Sequence, residues 1–371
     1  MNICIITSTF PTNEQDPFGG FILDFCRVLS KDHSVTVVTQ KRCEEYRIPD
    51  HIKLVPVLWE GNEIPLAEIK FHKPSHVFYT INLLRNAAKT LTHLAQKTPI
   101  DRCFCLWALP SGLGGYFLFK KFNIPYDVWC LGSDIWKHKG NPLTRPFLNK
   151  ILNRAKNVYT DGYHFCKEVD FICNKTSMFL PSCRIIPRIL INPKIGKPVK
   201  RTFLFIGRYH YNKGPDILIQ AIRKLPEEIN SNSDFEFHGT GPLKQSIMDQ
   251  AEKLNLKNVY FNDVICTDRI YEVFHHAHFL IIPSRFDSIP VILSDALQCD
   301  TPVIGSDIGD LGTVIKKYGI GYTFKKENIE QLCVCIVKAF KDDKNDYCKN
   351  CKEAAKIFSV DYAVNEFLKN I

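Results

Sequence analysis

The chain has 371 residues, of which 45% are hydrophobic and 23% charged. That balance excludes intrinsic disorder, and the length suits two cores of about 150 to 200 residues each. Charge is unevenly placed: residues 1–200 hold 27 Lys/Arg against 16 Asp/Glu, a net +11, while residues 201–371 hold 21 against 23, a net −2.

At the amino end, MNICIITSTFPTN carries no basic residue ahead of its short apolar run. A strand leading into a turn is expected there rather than a signal peptide, and the cytoplasm is the expected compartment. The longest uncharged stretch, Cys103 to Phe119, is interrupted by Pro110, Ser111 and three glycines. It falls short of a membrane span and predicts a buried strand, a loop and the first turns of a helix. Fifteen cysteines are scattered along the chain and are expected to be reduced core residues. Cys348 and Cys351 come nearest to a metal signature but lack a second ligand pair nearby, so no metal site is expected.

Short β-rich runs alternate with segments of helical periodicity. They are NICIITS, SVTVVTQ, CFCLWA, YDVWCLG and NVYTDG in the first half, then RTFLFIGR, DFEFHG, NVYFND, FLIIPS and TPVIGS. Such alternation predicts an α/β architecture with two parallel sheets. INPKIGKPVK, residues 191–200, reads as the linker between a domain over 1–190 and one over 201–356.

In such sheets ligands bind beyond the carboxyl ends of strands, so the loops there carry the informative residues. After the first strand, Gly19 and Gly20 precede a helix with Phe21, Phe25, Val28 and Leu29 expected on one side. Paired glycines let the backbone approach a ligand, and a helix N-terminus favours phosphate, though a tight turn is the simpler reading. The full GxGxxG fingerprint is absent, which argues against a nicotinamide enzyme. In FLFIGRYHYNKGPDIL, Arg208 and Lys213 lie between a strand and a helix predicted near Pro215. A planar fork and a point charge together suit a diphosphate; two solvated basic side chains are the alternative. In DFEFHGTGPLKQSI, Gly239, Thr240 and Gly241 leave room for a nucleotide, and Pro242 is expected as the first residue of the next helix. FLIIPSRFDSIPVILSDALQCDTPVIGS predicts a buried strand, a loop with Asp287, and a helix opening near Pro290 and carrying Asp295.

This last arrangement resembles the retaining GT-B glycosyltransferases of family 4, with a similarity running from residue 19 to about 324 and strongest over 203–310. Pro283, Ser284, Pro290, Ala296, Leu297, Pro302 and Val303 stand where that family has them. The family's two glutamates, eight positions apart, are Asp287 and Asp295 here, each one methylene shorter. The resemblance implies two Rossmann-like domains facing each other across a cleft, with a last helix, about 357–371, packing back on the first domain. It implies a nucleotide-diphosphate sugar, UDP- or GDP-linked, as co-substrate, and no metal or other cofactor. By resemblance, Asp295 holds the donor ribose, Asp287 sits by the transferred sugar, and Arg208 and Lys213 neutralise the diphosphate. Gly207, Gly239, Gly241, Pro242, Ser284, Ser288, Ile289 and Pro290 line the donor. Domain closure brings Gly20 and Asp134 to the donor. Asp134 lies in LGSD, where the family often has His-Gly-Ser-Asp and this chain has Leu131 first. It is the candidate to bind a sugar or acceptor hydroxyl, with a helix cap as the alternative. Asp310 stands where the family has a glycine, and no role is carried to it.

Two other readings stay open: a nucleotide-sugar 2-epimerase, whose own acids and histidines are not found, and a non-catalytic sugar- or nucleotide-binding subunit derived from a transferase. The acceptor is expected to be a glycan or a lipid-linked glycan of cell-surface polysaccharide or lipopolysaccharide synthesis, with no nucleic-acid partner. Lys137, Lys139, Arg145, Lys150, Arg154 and Lys156 occur with no acid between Asp134 and Asp161. Either a solvated face or peripheral association with the anionic inner face of the plasma membrane follows from that run.

Overall fold

A computed structural model describes residues 1–14, 16, 18–61, 69, 73–189 and 200–371. The chain forms two compact units, Met1–Pro181 with Ala363–Ile371, and Ser182–Tyr362. Apart from Lys200, the predicted linker lies outside the described residues. Residues 182–188, assigned by the sequence to the first domain, belong to the second unit. Side-chain and backbone hydrogen bonds fasten them there: Arg184 to Asp295, the Ile186 amide to Gln298, and Arg188 to the Gln298 carbonyl.

Among the described residues the first unit holds seven strands: β1 (Asn2–Thr7), β2 (Ser34–Gln40), β3 (Ile52–Val57), β4 (Arg102–Leu106), β5 (Tyr126–Cys130), β6 (Val158–Thr160) and β7 (Met178–Phe179). They lie in the order β3-β2-β1-β4-β5-β6-β7, every pair parallel. β1, β4 and β5 are buried almost throughout, as strands covered on both faces must be. The amphipathic helix Gly20–Leu29 buries Ile22, Leu23, Phe25, Cys26 and Leu29. Phe21 and Val28, expected on that face, are only half-buried. At the carboxyl end of the chain, Phe367 packs its ring 4.3 Å from Phe104 and 5.8 Å from Phe25.

The second unit holds β8 (Arg201–Ile206), β9 (Ser233–His238), β10 (Val259–Asn262), β11 (Phe279–Ile282), β12 (Val303–Asp307) and β13 (Gly321–Lys325), in the parallel order β10-β9-β8-β11-β12-β13. Its core stacks aromatic rings across neighbouring strands, Phe203 on Phe235 and Phe205 near Phe237, both at 5.3 Å. Both sheets therefore follow a Rossmann-like plan. Strand order reverses direction between β1 and β4 in one and between β8 and β11 in the other, and the crevice at such a switch point is where an open sheet binds its ligand.

Cys103–Phe119 forms β4, a loop and the start of the helix Ser111–Phe122, as the sequence suggested. Among the described residues no helix is long and apolar enough to cross a membrane. All fifteen cysteines are free and ten are buried. Among the described residues no group of three His, Cys, Asp or Glu could hold a metal.

Candidate functional site

The two loops beyond the switch point of the second sheet carry the densest chemistry. After β8 the chain turns through Gly207 and Arg208, makes one short turn over Tyr211–Lys213, and enters the helix Pro215–Lys224 through Gly214. Gly214 has φ 65°, and a Cβ there would stand 2.1 Å from the Pro283 carbonyl oxygen. Only glycine lets the β8 loop lie this close to the loop following β11. That contact brings Lys213 against Asp287: its ammonium donates to both carboxylate oxygens, at 2.8 and 2.9 Å. Arg208 is exposed, and its guanidinium has no ion-pair partner among the described residues.

Arg285, which no motif in the sequence singles out, holds this arrangement. Its guanidinium donates two parallel bonds to Asp216, at 2.8 and 2.6 Å, a third to Glu327 at 2.6 Å and a fourth to the Tyr211 carbonyl at 2.9 Å. It also lies 4.2 Å over the Tyr211 ring, while its backbone amide donates to the Asn212 carbonyl at 2.7 Å. The two carboxylates push its pKa above the ordinary arginine range. Such a buried, bidentate guanidinium fixes geometry as well as charge, so the turn bearing Lys213 and the loop bearing Asp287 are set as one piece. Asp216 stands in the first turn of the helix Pro215–Lys224, where the sequence reading gave it no role. Glu327 is 42 residues from Arg285, and no spacing rule connects them.

Gly239 and Gly241 have φ 139° and 152°, and added Cβ atoms would meet the Gly207 carbonyl oxygen at 2.1 Å and the Tyr209 carbonyl oxygen at 2.6 Å. The space that these glycines leave is filled by the protein's own β8 loop. Pro242 does not open a helix either: the helix after β9 runs Lys244–Lys253. The Leu243 amide instead donates to the Tyr209 carbonyl, a non-helical tie that delays the first turn. A cavity of about 290 Å³ adjoins His238 at the end of β9, lined also by Asn262, Val264, Ile265 and Arg269.

In the loop after β11, Ser284 is buried and its carbonyl accepts from the Ser306 hydroxyl at 2.6 Å. Ser288 and Ile289 are buried, and among the described residues the Ser288 hydroxyl has no hydrogen-bond partner. Gly309, at φ 48°, packs against the Asp287 and Ser288 carbonyls, and the buried Asp310 donates its amide to the latter. Pro290 precedes the helix Val291–Gln298. Asp295, on that helix, is fully buried and not grouped with Lys213 and Asp287; its carboxylate is bound by Arg184 and reached by the Ser294 hydroxyl.

In the first unit, Gly19, with φ 86°, precedes the helix opened by Gly20, and its carbonyl accepts from the Ile22 amide at 2.9 Å. Asp134 lies within the short helix Ser133–Trp136, which Gly132 precedes, so it is not the cap residue. Its carboxylate accepts from the Ala108 amide at 2.6 Å and the Leu131 amide at 3.2 Å. It ties the loop after β4 to the loop after β5. Burial raises its pKa from 3.8 to about 6, against the pull of the backbone amides.

Residues 189–358 match the family model described as glycosyl transferases group 1. With two Rossmann-like units over the whole chain, this is a glycosyltransferase of the GT-B fold, and its second unit carries the group 1 domain. The uncharacterized glycosyltransferase MJ1178 of Methanocaldococcus jannaschii is 24% identical over 305 residues, 81% of this chain and 83% of that protein. A GalNAc-alpha-(1->4)-GalNAc-alpha-(1->3)-diNAcBac-PP-undecaprenol alpha-1,4-N-acetyl-D-galactosaminyltransferase of Campylobacter jejuni is 22% identical over 367 residues, 94% of this chain and 93% of that one. Among solved structures, HepE of Anabaena in complex with UDP-glucose superposes with a TM-score of 0.73 at 13% identity, covering 100% of both chains.

Proposed function

We propose that this glycosyltransferase is a retaining enzyme that moves a hexosyl group from a UDP- or GDP-sugar to a glycan or lipid-linked acceptor of cell-surface polysaccharide synthesis, at the cytoplasmic face of a membrane. The observation that carries the reading is the pairing of Lys213 with Asp287 at the switch point of the second sheet, where an open sheet takes its ligand. Arg208 on the same loop supplies a second cation, and the buried Ser288 hydroxyl, without a partner among the described residues, is suited to an incoming polar group. The UDP-glucose complex of HepE and the undecaprenol-linked acceptor in the Campylobacter enzyme's name support the donor and acceptor classes.

In this reading the donor diphosphate takes Lys213 and Arg208 as its cations. As the bond from the anomeric carbon to the leaving phosphate oxygen breaks, negative charge grows on the diphosphate, and fixed cations stabilise it more than they stabilise the intact donor. Asp287 is then released towards the sugar hydroxyls. The acceptor oxygen bonds to the anomeric carbon on the face that the diphosphate leaves, and its proton passes to a leaving phosphate oxygen. Retention follows, and the protein contributes position and charge rather than a base. This scheme needs no metal.

Calorimetry of UDP, GDP, ADP and their sugars against the wild type and Arg208→Ala, without added metal, tests it. Binding of one nucleotide class, lost in the variant, is expected; no binding by any of them overturns the donor assignment.

A further inference from the structure

We infer that the exposed edge from Leu143 to Arg154 is the surface by which the first unit docks on an anionic bilayer, Leu143 and Phe147 entering its apolar boundary. This rests on the membrane-linked acceptor proposed above and names the surface that serves it.

The helix Arg145–Arg154 buries Leu148, Ile151 and Leu152. Its exposed residues include Phe147, Lys150 and Arg154, which follow one helical stripe, and Leu143 stands exposed in the turn just before the helix. Leu143 is 79% exposed and Phe147 59%. Two large apolar side chains held in water four residues apart, with an internal core already complete beneath them, point to an external apolar phase.

The surrounding charge selects which one. No acid lies between Asp134 and Asp161, while Lys137, Arg145, Lys150 and Arg154 flank the apolar pair and are exposed. Lys150 lies 5.5 Å over the Tyr116 ring, which leaves its charge intact. Lys139 is paired with Glu168 at 2.7 Å, which offsets its charge. Exposed apolar side chains flanked along the chain by exposed cations match the layering of an anionic membrane surface, hydrocarbon inside and phosphate outside. A polyanion such as nucleic acid would answer the cations and leave Leu143 and Phe147 unexplained.

Vesicle co-sedimentation of the full chain at low salt provides the test, using phosphatidylcholine with and without phosphatidylglycerol. The variants are Leu143→Ser with Phe147→Ser, and Lys137→Glu with Arg145→Glu and Lys150→Glu; circular dichroism checks that each is folded. The wild type is expected on the anionic vesicles only. The serine pair is expected to weaken binding by about a hundredfold, about tenfold for each inserted side chain. Charge reversal is expected to abolish binding, at about fivefold for each basic residue. Wild-type binding by the serine pair, with loss on charge reversal, would overturn the insertion and leave the membrane reading standing. Unchanged binding by both variants would place the contact elsewhere and overturn the assignment. No binding of the wild type to either vesicle overturns the surface and the membrane reading together, while leaving the nucleotide result untouched.

Discussion

Asp295 is enclosed by its own chain: its buried carboxylate is gripped by the guanidinium of Arg184, 111 residues earlier, and Gln298 one turn further along donates to the Arg184 carbonyl at 2.7 Å. The family resemblance gives this acid to the donor ribose, and here any ribose hydroxyl must compete with Arg184. Removing Arg184 has two expected effects. Arg184→Ala leaves a buried carboxylate without its cation, lowering stability by about 3 kcal/mol in urea denaturation. The freed carboxylate is expected to tighten nucleotide binding severalfold in calorimetry; weaker binding would make Arg184 itself a ligand contact.

Lys213→Ala is expected to reduce kcat by about 100- to 1,000-fold, the usual effect of deleting one fixed group that stabilises developing charge. The Lys213–Asp287 pair is partly solvated, so the melting temperature should change little. A large loss of stability with little loss of kcat would give the pair a structural role only.

Arg285→Lys keeps the charge and loses the fork. A single ammonium cannot make the two parallel bonds to Asp216 together with the bonds to Glu327 and Tyr211, so the turn bearing Lys213 loosens. The expected outcome is a fall in kcat larger than any rise in KM, measured in steady state with a saturating acceptor.

Gly214→Ala and Gly239→Ala are each expected to destabilise the second unit by more than about 2 kcal/mol, since positive φ strains alanine and the new Cβ strikes a carbonyl oxygen. Thermal melts of the two variants give the answer. Gly140, with nothing within 4 Å of an added Cβ, is the control and should tolerate alanine.

The two units are expected to respond to acid in opposite directions. Asp134 keeps its proton to about pH 6 when folded and to 3.8 when unfolded. Between those values the folded state holds more protons, so its contribution is complete below 3.8 and is lost, by about 3 kcal/mol, as pH rises through 6. His278 is buried, with Nε2 2.7 Å from the Ala339 carbonyl oxygen, and burial lowers its pKa from 6.5 to about 4. The unfolded state holds more protons there, so that contribution is complete above 6.5 and falls, by about 2 kcal/mol, as pH drops through 4. Denaturation of Asp134→Asn and His278→Phe at pH 4.5 and 7 should each remove one slope and leave the other.

The sequence by itself determined the parallel α/β plan, the loops beyond the carboxyl ends of its strands, and the Pro283–Ser284 to Pro290 frame around Asp287, because all of these are local. Continuous apolar runs mark central strands, and proline and glycine mark their ends. β3, with Pro56 within it, the two-residue β7 and the half-exposed β13 were not legible. They lie at the sheet edges, where one side needs no apolar partner. Tertiary structure alone decided how each polar group is satisfied. It assigned Arg184 to Asp295, Arg285 to Asp216 and Glu327, Asp134 to two backbone amides, and the room beside Gly239 and Gly241 to a neighbouring loop. A buried charge or amide takes whichever partner folding brings within hydrogen-bond reach, and pairings across 42 or 111 residues leave no period in the chain to read.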